Sequence, residues 1–231
     1  MTAMQRLVCF DLDHTLLTGD SDVLWCDFLI DRGLLDREQF AARNADMEAR
    51  YQAGTVGVTE FSEFYVGTLA GRTPAEWDGL RTTFLSEIVA PRIPVSAHQL
   101  VQGHLRAGDL VVLTTATNRY ITEWTARHLG IDHLIATEPE LADGRFTGRT
   151  QGVLNMREGK VLRLKTWLQA RGLLLEQVHS VAYSDSINDL PLLSSVNEAI
   201  AVDPDAKLAA EAHNRAWSVL RLDRPLHRGV I

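Results

Sequence analysis

Three short apolar runs punctuate the chain, and each gives way to polar residues at its C-terminal end: "RLVCF" at 6 to 10, "LVVLTT" at 110 to 115 and "SVAYSD" at 180 to 185. Runs this short, rich in β-branched residues and bounded by polar groups, predict buried strands. Between them the apolar spacing turns helical, at 95 to 107 closed by Gly108, at 119 to 129 opened by Asn118 and closed by Gly130, and at 158 to 171 closed by Gly172. Alternating strand and helix predicts an α/β fold with a parallel sheet and a ligand site at the carboxyl ends of the strands.

Residues 18 to 92 break the alternation. They read as about four successive helices, with capping boxes expected at "DREQ" (36 to 39) and "TPAE" (73 to 76). After the second box, Trp77, Leu80, Phe84, Leu85 and Ile88 form one apolar stripe. The pattern predicts a helical cap, 18 to 92, inserted into a core made of 1 to 17 and 93 to 231. Asp143-Gly144, between partly alternating arms, predicts a β-hairpin. Repeats and low-complexity segments are absent from the sequence.

Composition narrows the functional class. A length of 231 residues with 45% hydrophobic content suits a globular protein, and a net charge of -7 without a basic run argues against nucleic acid or an anionic membrane as partner. The N-terminus reaches acidic residues too soon for a signal peptide, and every apolar run is too short to span a bilayer. Cys9 and Cys26 lack metal-type spacing and read as buried thiols, so a cytoplasmic location is expected. His98, His104 and His128 show no ligand spacing and are expected at the surface.

The chemistry concentrates at the strand ends. Asp11 and Asp13 follow the first strand, Asp185 ends the third, and Asp189 lies about one helical turn later. Four carboxylates gathered there repel: at an effective dielectric near 20, two charges about 4 Å apart cost roughly 4 kcal/mol. A divalent cation relieves this, and all-oxygen donors suit Mg²⁺. Thr115, followed by Asn118 at a helix start, offers a hydroxyl and free N–H groups to a phosphate. Lys160 is placed to balance charge on both phosphate and acids.

"DLDHTL" (11 to 16), Thr115, Lys160 and "SDSINDLPLL" (184 to 193), in that order and over nearly the whole chain, resemble the haloacid dehalogenase-like phosphatase superfamily, within it the phosphoserine-phosphatase-like branch. The resemblance implies a Rossmann-like sheet with the helical cap inserted after the first motif. It makes Asp11 the nucleophile and Asp13 the general acid/base. Mg²⁺ is then held by Asp11, the main-chain carbonyl of Asp13 and Asp185, with Asp189 supporting, while Thr115 and Lys160 bind the phosphoryl group. The substrate is a small phosphorylated metabolite, with histidinol phosphate or another amino-alcohol phosphate as candidate. His14, inside the first motif, is a candidate substrate contact.

The branch's substrate-binding Glu falls on Asp20, which favours an amine. Its cap Arg falls on Tyr65, with Arg43, Arg50 and Arg72 as stand-ins. Of the cap aromatics Trp25, Phe28, Phe61, Phe64, Tyr65 and Trp77, most are expected in the helical core. A phosphoserine phosphatase and a phosphotransferase are the alternatives within the superfamily. A phosphoacceptor signalling module is the alternative of a different class, disfavoured by the Asp-x-Asp-x-Thr spacing and the insert.

Overall fold

The structure, a computed structural model, describes residues 6–224. The strands are β1 (Arg6–Phe10), β2 (Leu110–Asn118), β3 (His133–Ala142), β4 (Arg145–Gln151), β5 (His179–Ser184), β6 (Glu198–Val202) and β7 (Ser218–Leu220). They form one sheet in the order β4-β3-β2-β1-β5-β6-β7, parallel except where β4 returns antiparallel beside β3 as the predicted hairpin. After β1 the chain builds outward through β2 and β3, then comes back to place β5 on the other flank of β1. The reversal opens a crevice at the carboxyl ends of β2, β1 and β5, where ligands bind in such sheets.

β1 is apolar on both faces because both are covered. Val8 and Phe10 join one hydrophobic cluster with Val101 and Ala126 of α5 (Val95–Arg106) and α6 (Arg119–His128). Leu7 and Cys9 join the other, with Leu164 of α7 (Glu158–Gln169), Leu192 of the single turn α8 (Leu190–Leu193) and Leu208 of α9 (Ala206–Asn214). Cys9 and Cys26 are both buried free thiols. His104 departs from its expected surface position. Its ring is largely buried, with Nδ1 2.7 Å from Asp109 and Nε2 2.9 Å from the Tyr183 hydroxyl, so its polarity is used between helix and sheet.

Four α-helices precede α5 in the stretch between β1 and β2: α1 (Ser21–Asp31), α2 (Arg37–Ala53), α3 (Val58–Val66) and α4 (Pro74–Phe84). The Thr73 and Glu76 capping box forms in full, whereas at 36 to 39 only its first half forms, Asp36 accepting from the Gln39 N–H. α1 is buried nearly all round. Its Trp25 and Phe28 pack with Trp77 and Phe84 of α4, while Val23 and Cys26 face Met47 of α2 and Phe61 of α3. Among the described residues, no helix is long and apolar enough to cross a membrane.

Candidate active site

Asp11 leaves the end of β1 with its N–H bonded to the Tyr183 carbonyl of β5, 3.0 Å away. Past it the chain turns tightly: the Leu12 carbonyl accepts from the N–H groups of Thr15, Leu16 and Leu17, and His14 takes a left-handed φ of 58°. This turn brings the Thr15 hydroxyl between two carboxylates, 3.0 Å from Asp11 Oδ2 and 2.9 Å from Asp185 Oδ1. Its single proton serves one of them at a time, and it accepts from the Asp185 N–H in return.

The other Asp11 oxygen, Oδ1, accepts from Lys160 Nζ at 2.7 Å, and the same ammonium donates to Asp189 Oδ2 at 2.6 Å. The Ser184 hydroxyl completes the Asp189 environment at 2.8 Å. Asp13 is held independently. Its Oδ1 accepts from the Ser21 N–H at the start of α1, and its Oδ2 accepts from the Thr115 and Thr117 hydroxyls at 3.1 and 2.9 Å.

Burial works against charge throughout this cluster. Loss of water and the neighbouring Asp189 and Asp13 push the Asp11 carboxyl up to about 7 despite Lys160. Asp185 is raised well above the ordinary carboxylate range by burial and then by Asp11, and Asp20 by burial and then by Asp13 and Asp22. Burial opposes the Lys160 charge, yet Asp11 and Asp189 outweigh it and raise the ammonium's pKa.

Above these groups lies a cavity of about 250 Å³. Asp11, Asp13, Asp20, Asp185 and Asp189 line it together with Asp203 and Asp205 at its rim, and among the described residues no Lys or Arg lines it. The two rim acids are already engaged. Asp205 caps α9 through the Leu208 N–H and accepts from the Ile187 N–H, and Asp203 pairs with Arg224 at 2.8 Å. Two buried carboxylates joined only through one hydroxyl form an all-oxygen donor set that suits a hard divalent cation. Among the described residues no three His, Cys, Asp or Glu side chains converge as a complete metal cage, so such an ion would take its remaining ligands from main chain and water.

The structure thus brings Asp11, Asp13, Lys160, Asp185 and Asp189 together and rearranges some expected roles. Asp189, expected among the metal-holding acids, bonds Lys160 and Ser184 through Oδ2. Thr115 is fully buried, and its hydroxyl donates to Asp13 instead of reaching the cavity. The strand is irregular between Thr115 and Asn118, and within this irregular stretch Thr117 lines the cavity in its place. Asn118 is likewise withdrawn, capping α6 through the Ile121 N–H. His14 and Asp20 do line the cavity, and Asp20 also caps α1, its Oδ1 accepting from the Asp22 and Val23 N–H groups.

On α3, Tyr65 is completely buried, and its hydroxyl has no hydrogen-bond partner among the described residues. None of the proposed arginine stand-ins lines the cavity. Arg50 grips Glu60 with two bonds of 2.7 and 2.8 Å, Arg43 lies over Phe40 and Phe64, and Arg72 over Trp77. Trp25, Phe28 and Trp77 are core, as expected, whereas Phe61 lines the cavity beside Tyr51.

Sequence reasoning passed over Thr117, Tyr51 and Arg224. The Arg224 guanidinium donates to the carbonyls of His14, Thr15 (2.9 Å) and Leu17 (3.2 Å), fastening the turn that carries Thr15.

A family model for haloacid dehalogenase-like hydrolases matches residues 8–194, and the chain belongs to that family. It is a phosphatase of that family. A histidinol-phosphatase from Neisseria meningitidis is 39% identical over 219 residues, covering 94% of this chain and 99% of its own length. Phosphoserine phosphatase SerB1 from Mycobacterium tuberculosis is 34% identical over 220 residues, 91% of this chain and 68% of its own. A protein of unknown function from Bordetella pertussis superposes with a TM-score of 0.89 at 44% identity, over 94% of this chain and 99% of its own. A substrate-bound phosphoserine phosphatase, at 16% identity and a TM-score of 0.68 over 94% of this chain and 92% of its own, shares the fold.

Proposed function

We propose that this chain is a Mg²⁺-dependent phosphomonoesterase that works through an aspartyl-phosphate on Asp11 and takes an amino-alcohol phosphate such as histidinol phosphate. The observation that carries the substrate reading is a cavity lined by seven aspartates and, among the described residues, by no Lys or Arg. A carboxylate entering it would lose water and find no cation, a deficit of about 2 to 5 kcal/mol relative to a site with a buried partner. An ammonium would meet Asp20 and its neighbours instead. The 39% identity to a histidinol-phosphatase supports the same choice.

Asp11 and Asp185, with the Asp13 carbonyl that the family resemblance adds, would hold the Mg²⁺. When bound, the ion supplies positive charge that lets an anionic phosphate approach the acids. Lys160 favours the ionised form of Asp11 against burial and fixes the direction of its lone pairs through the 2.7 Å bond. The Asp11 carboxylate attacks phosphorus, forming an acyl-phosphate as the ester P–O bond breaks. Asp13, held by three hydrogen bonds, passes a proton to the departing alkoxide oxygen. It then takes a proton from the water that attacks the acyl-phosphate, which releases phosphate and restores Asp11.

The reading is tested by assaying phosphate release from a panel of phosphorylated metabolites with Mg²⁺ present. Histidinol phosphate should exceed phosphoserine by at least roughly thirtyfold in kcat/KM, the lower end of the expected deficit. A tenfold preference for phosphoserine would overturn it.

A further inference from the structure

Two of the residues lining the cavity are aromatic side chains contributed by the insert: Tyr51, on the last turn of α2, and Phe61, on α3. Their rings are stacked, with centroids 4.5 Å apart and planes 28° from parallel. Phe61 is 1% exposed and joins the cluster of Met47 and Tyr65, so Tyr51 rests on a fixed base. The turn that follows Tyr51 is bonded to the core from three directions. Lys207 donates to the Ala53 carbonyl at 3.1 Å, Asn188 to the Tyr51 carbonyl at 3.4 Å, and Arg157 to the Gly54 carbonyl at 3.4 Å.

We infer that Tyr51, backed by Phe61, is a specificity-determining subsite that receives a planar, cation-forming ring carried by the substrate's alcohol portion. The inference rests on the amino-alcohol reading and adds the ring to it. A ring already stacked and anchored loses little conformational freedom when a flat group settles against it, and a cation gains from the π face. The aspartates on the other walls reject anions, so a flat neutral or cationic heterocycle suits the space and a phenyl carboxylate does not. The subsite was invisible in sequence because Tyr51 and Phe40 are two aromatics in an otherwise polar helix, with nothing local to mark one of them as facing a ligand.

The test compares wild type, Tyr51→Ala and Tyr51→Phe on histidinol phosphate and on 2-aminopropyl phosphate, which keeps the amine and lacks the ring. Wild type should prefer the ring-bearing ester by about tenfold in kcat/KM, the scale of one aromatic stack. Tyr51→Ala should erase that preference and leave 2-aminopropyl phosphate within about twofold of wild type, and Tyr51→Phe should retain it. Thermal melts of both variants establish that the comparison is made on folded protein. Equal losses on both esters in Tyr51→Ala, or a Tyr51→Phe as impaired as Tyr51→Ala, would overturn the ring subsite. A wild type that hydrolyses both esters equally would overturn it too, with the amino-alcohol reading intact. One that hydrolyses neither would bring down the reading itself.

Discussion

The floor of the cavity and its insert side are built to different tolerances. On the floor, Asp11, Thr15, Lys160 and Asp189 are joined by side-chain bonds of 2.6 to 3.0 Å, and Asp13 is held by Ser21, Thr115 and Thr117 at 2.7 to 3.1 Å. On the insert side, the end of α2 and the turn after it meet Arg157 and Asn188 across 3.4 to 3.5 Å and Lys207 at 3.1 Å, with main-chain carbonyls as acceptors. The insert is itself divided. α4 is fixed to α6 by Arg81, which lies 4.1 Å from the Tyr120 ring centroid and 4.0 Å from that of Trp124 and donates to the Tyr120 carbonyl at 2.7 Å. The half holding α2 and α3 meets the core's side chains through those mostly longer bonds to main-chain carbonyls. Chemistry thus rests on a rigid lattice, and selection on a weakly held edge able to admit substrate.

The largest expected effect breaks the rigid side. Asp11→Asn keeps the shape of the side chain and removes its nucleophilicity, so turnover should fall by at least about 10⁴-fold while the melting temperature stays level or rises. Steady-state assays and melts on the same preparation check both halves of this expectation.

A second expectation concerns charge. Asp11, Asp20 and Asp185 titrate above their unfolded values, so the folded protein binds more protons than the unfolded chain between pH 5 and about 7. Stability contributed in this way is present at low pH and is lost as pH rises through the folded values. Metal-free protein should therefore melt at progressively lower temperature from pH 5 to 7.5. Added Mg²⁺ should restore stability most at the upper end, where it competes with fewer protons. A flat melting profile without metal would contradict this.

Arg224 sharpens the comparison from outside the 8–194 span of the family model. Arg224→Ala frees the carbonyls of the 14 to 17 turn and the Asp203 carboxylate, and kcat should fall by about tenfold because the turn carries Thr15, with KM rising as well because it also carries the cavity-lining His14. Arg224→Lys, with fewer donors and no fork, should recover part of the loss.

The smallest effect lies on the weakly held side. Arg157→Ala should raise KM by about threefold and speed amide exchange across 54 to 58, leaving exchange in α4 unchanged, since its bonds to Gly54 and Val56 are long and few. Exchange rising equally in α4 would mean that the insert moves as one piece.

The same division governs what the sequence made readable. Strand ends, helix caps and the acid pairs follow local rules, so β1, β5, the Thr73 cap and the cluster of Asp11, Asp13, Lys160, Asp185 and Asp189 were legible. The exchange of Thr115 for Thr117 at the cavity wall was not, because an irregularity in β2 redirects side chains without a distinctive residue to mark it. The burial of Tyr65 and the outward pairing of Arg50 depend on how α2 and α3 pack, which no spacing rule specifies. Arg224 acts over more than 200 positions of sequence separation, so nothing local to it or to the turn announces the contact.

The central claim is that Asp11 is phosphorylated during turnover. Enzyme, Mg²⁺ and histidinol phosphate mixed rapidly and quenched into borohydride should reduce any acyl-phosphate, leaving homoserine at that aspartate for peptide mass spectrometry to locate. The account predicts conversion at position 11, absent in Asp11→Asn and absent without substrate. Conversion at Asp13 or Asp185, or full turnover with no aspartate converted, would contradict it.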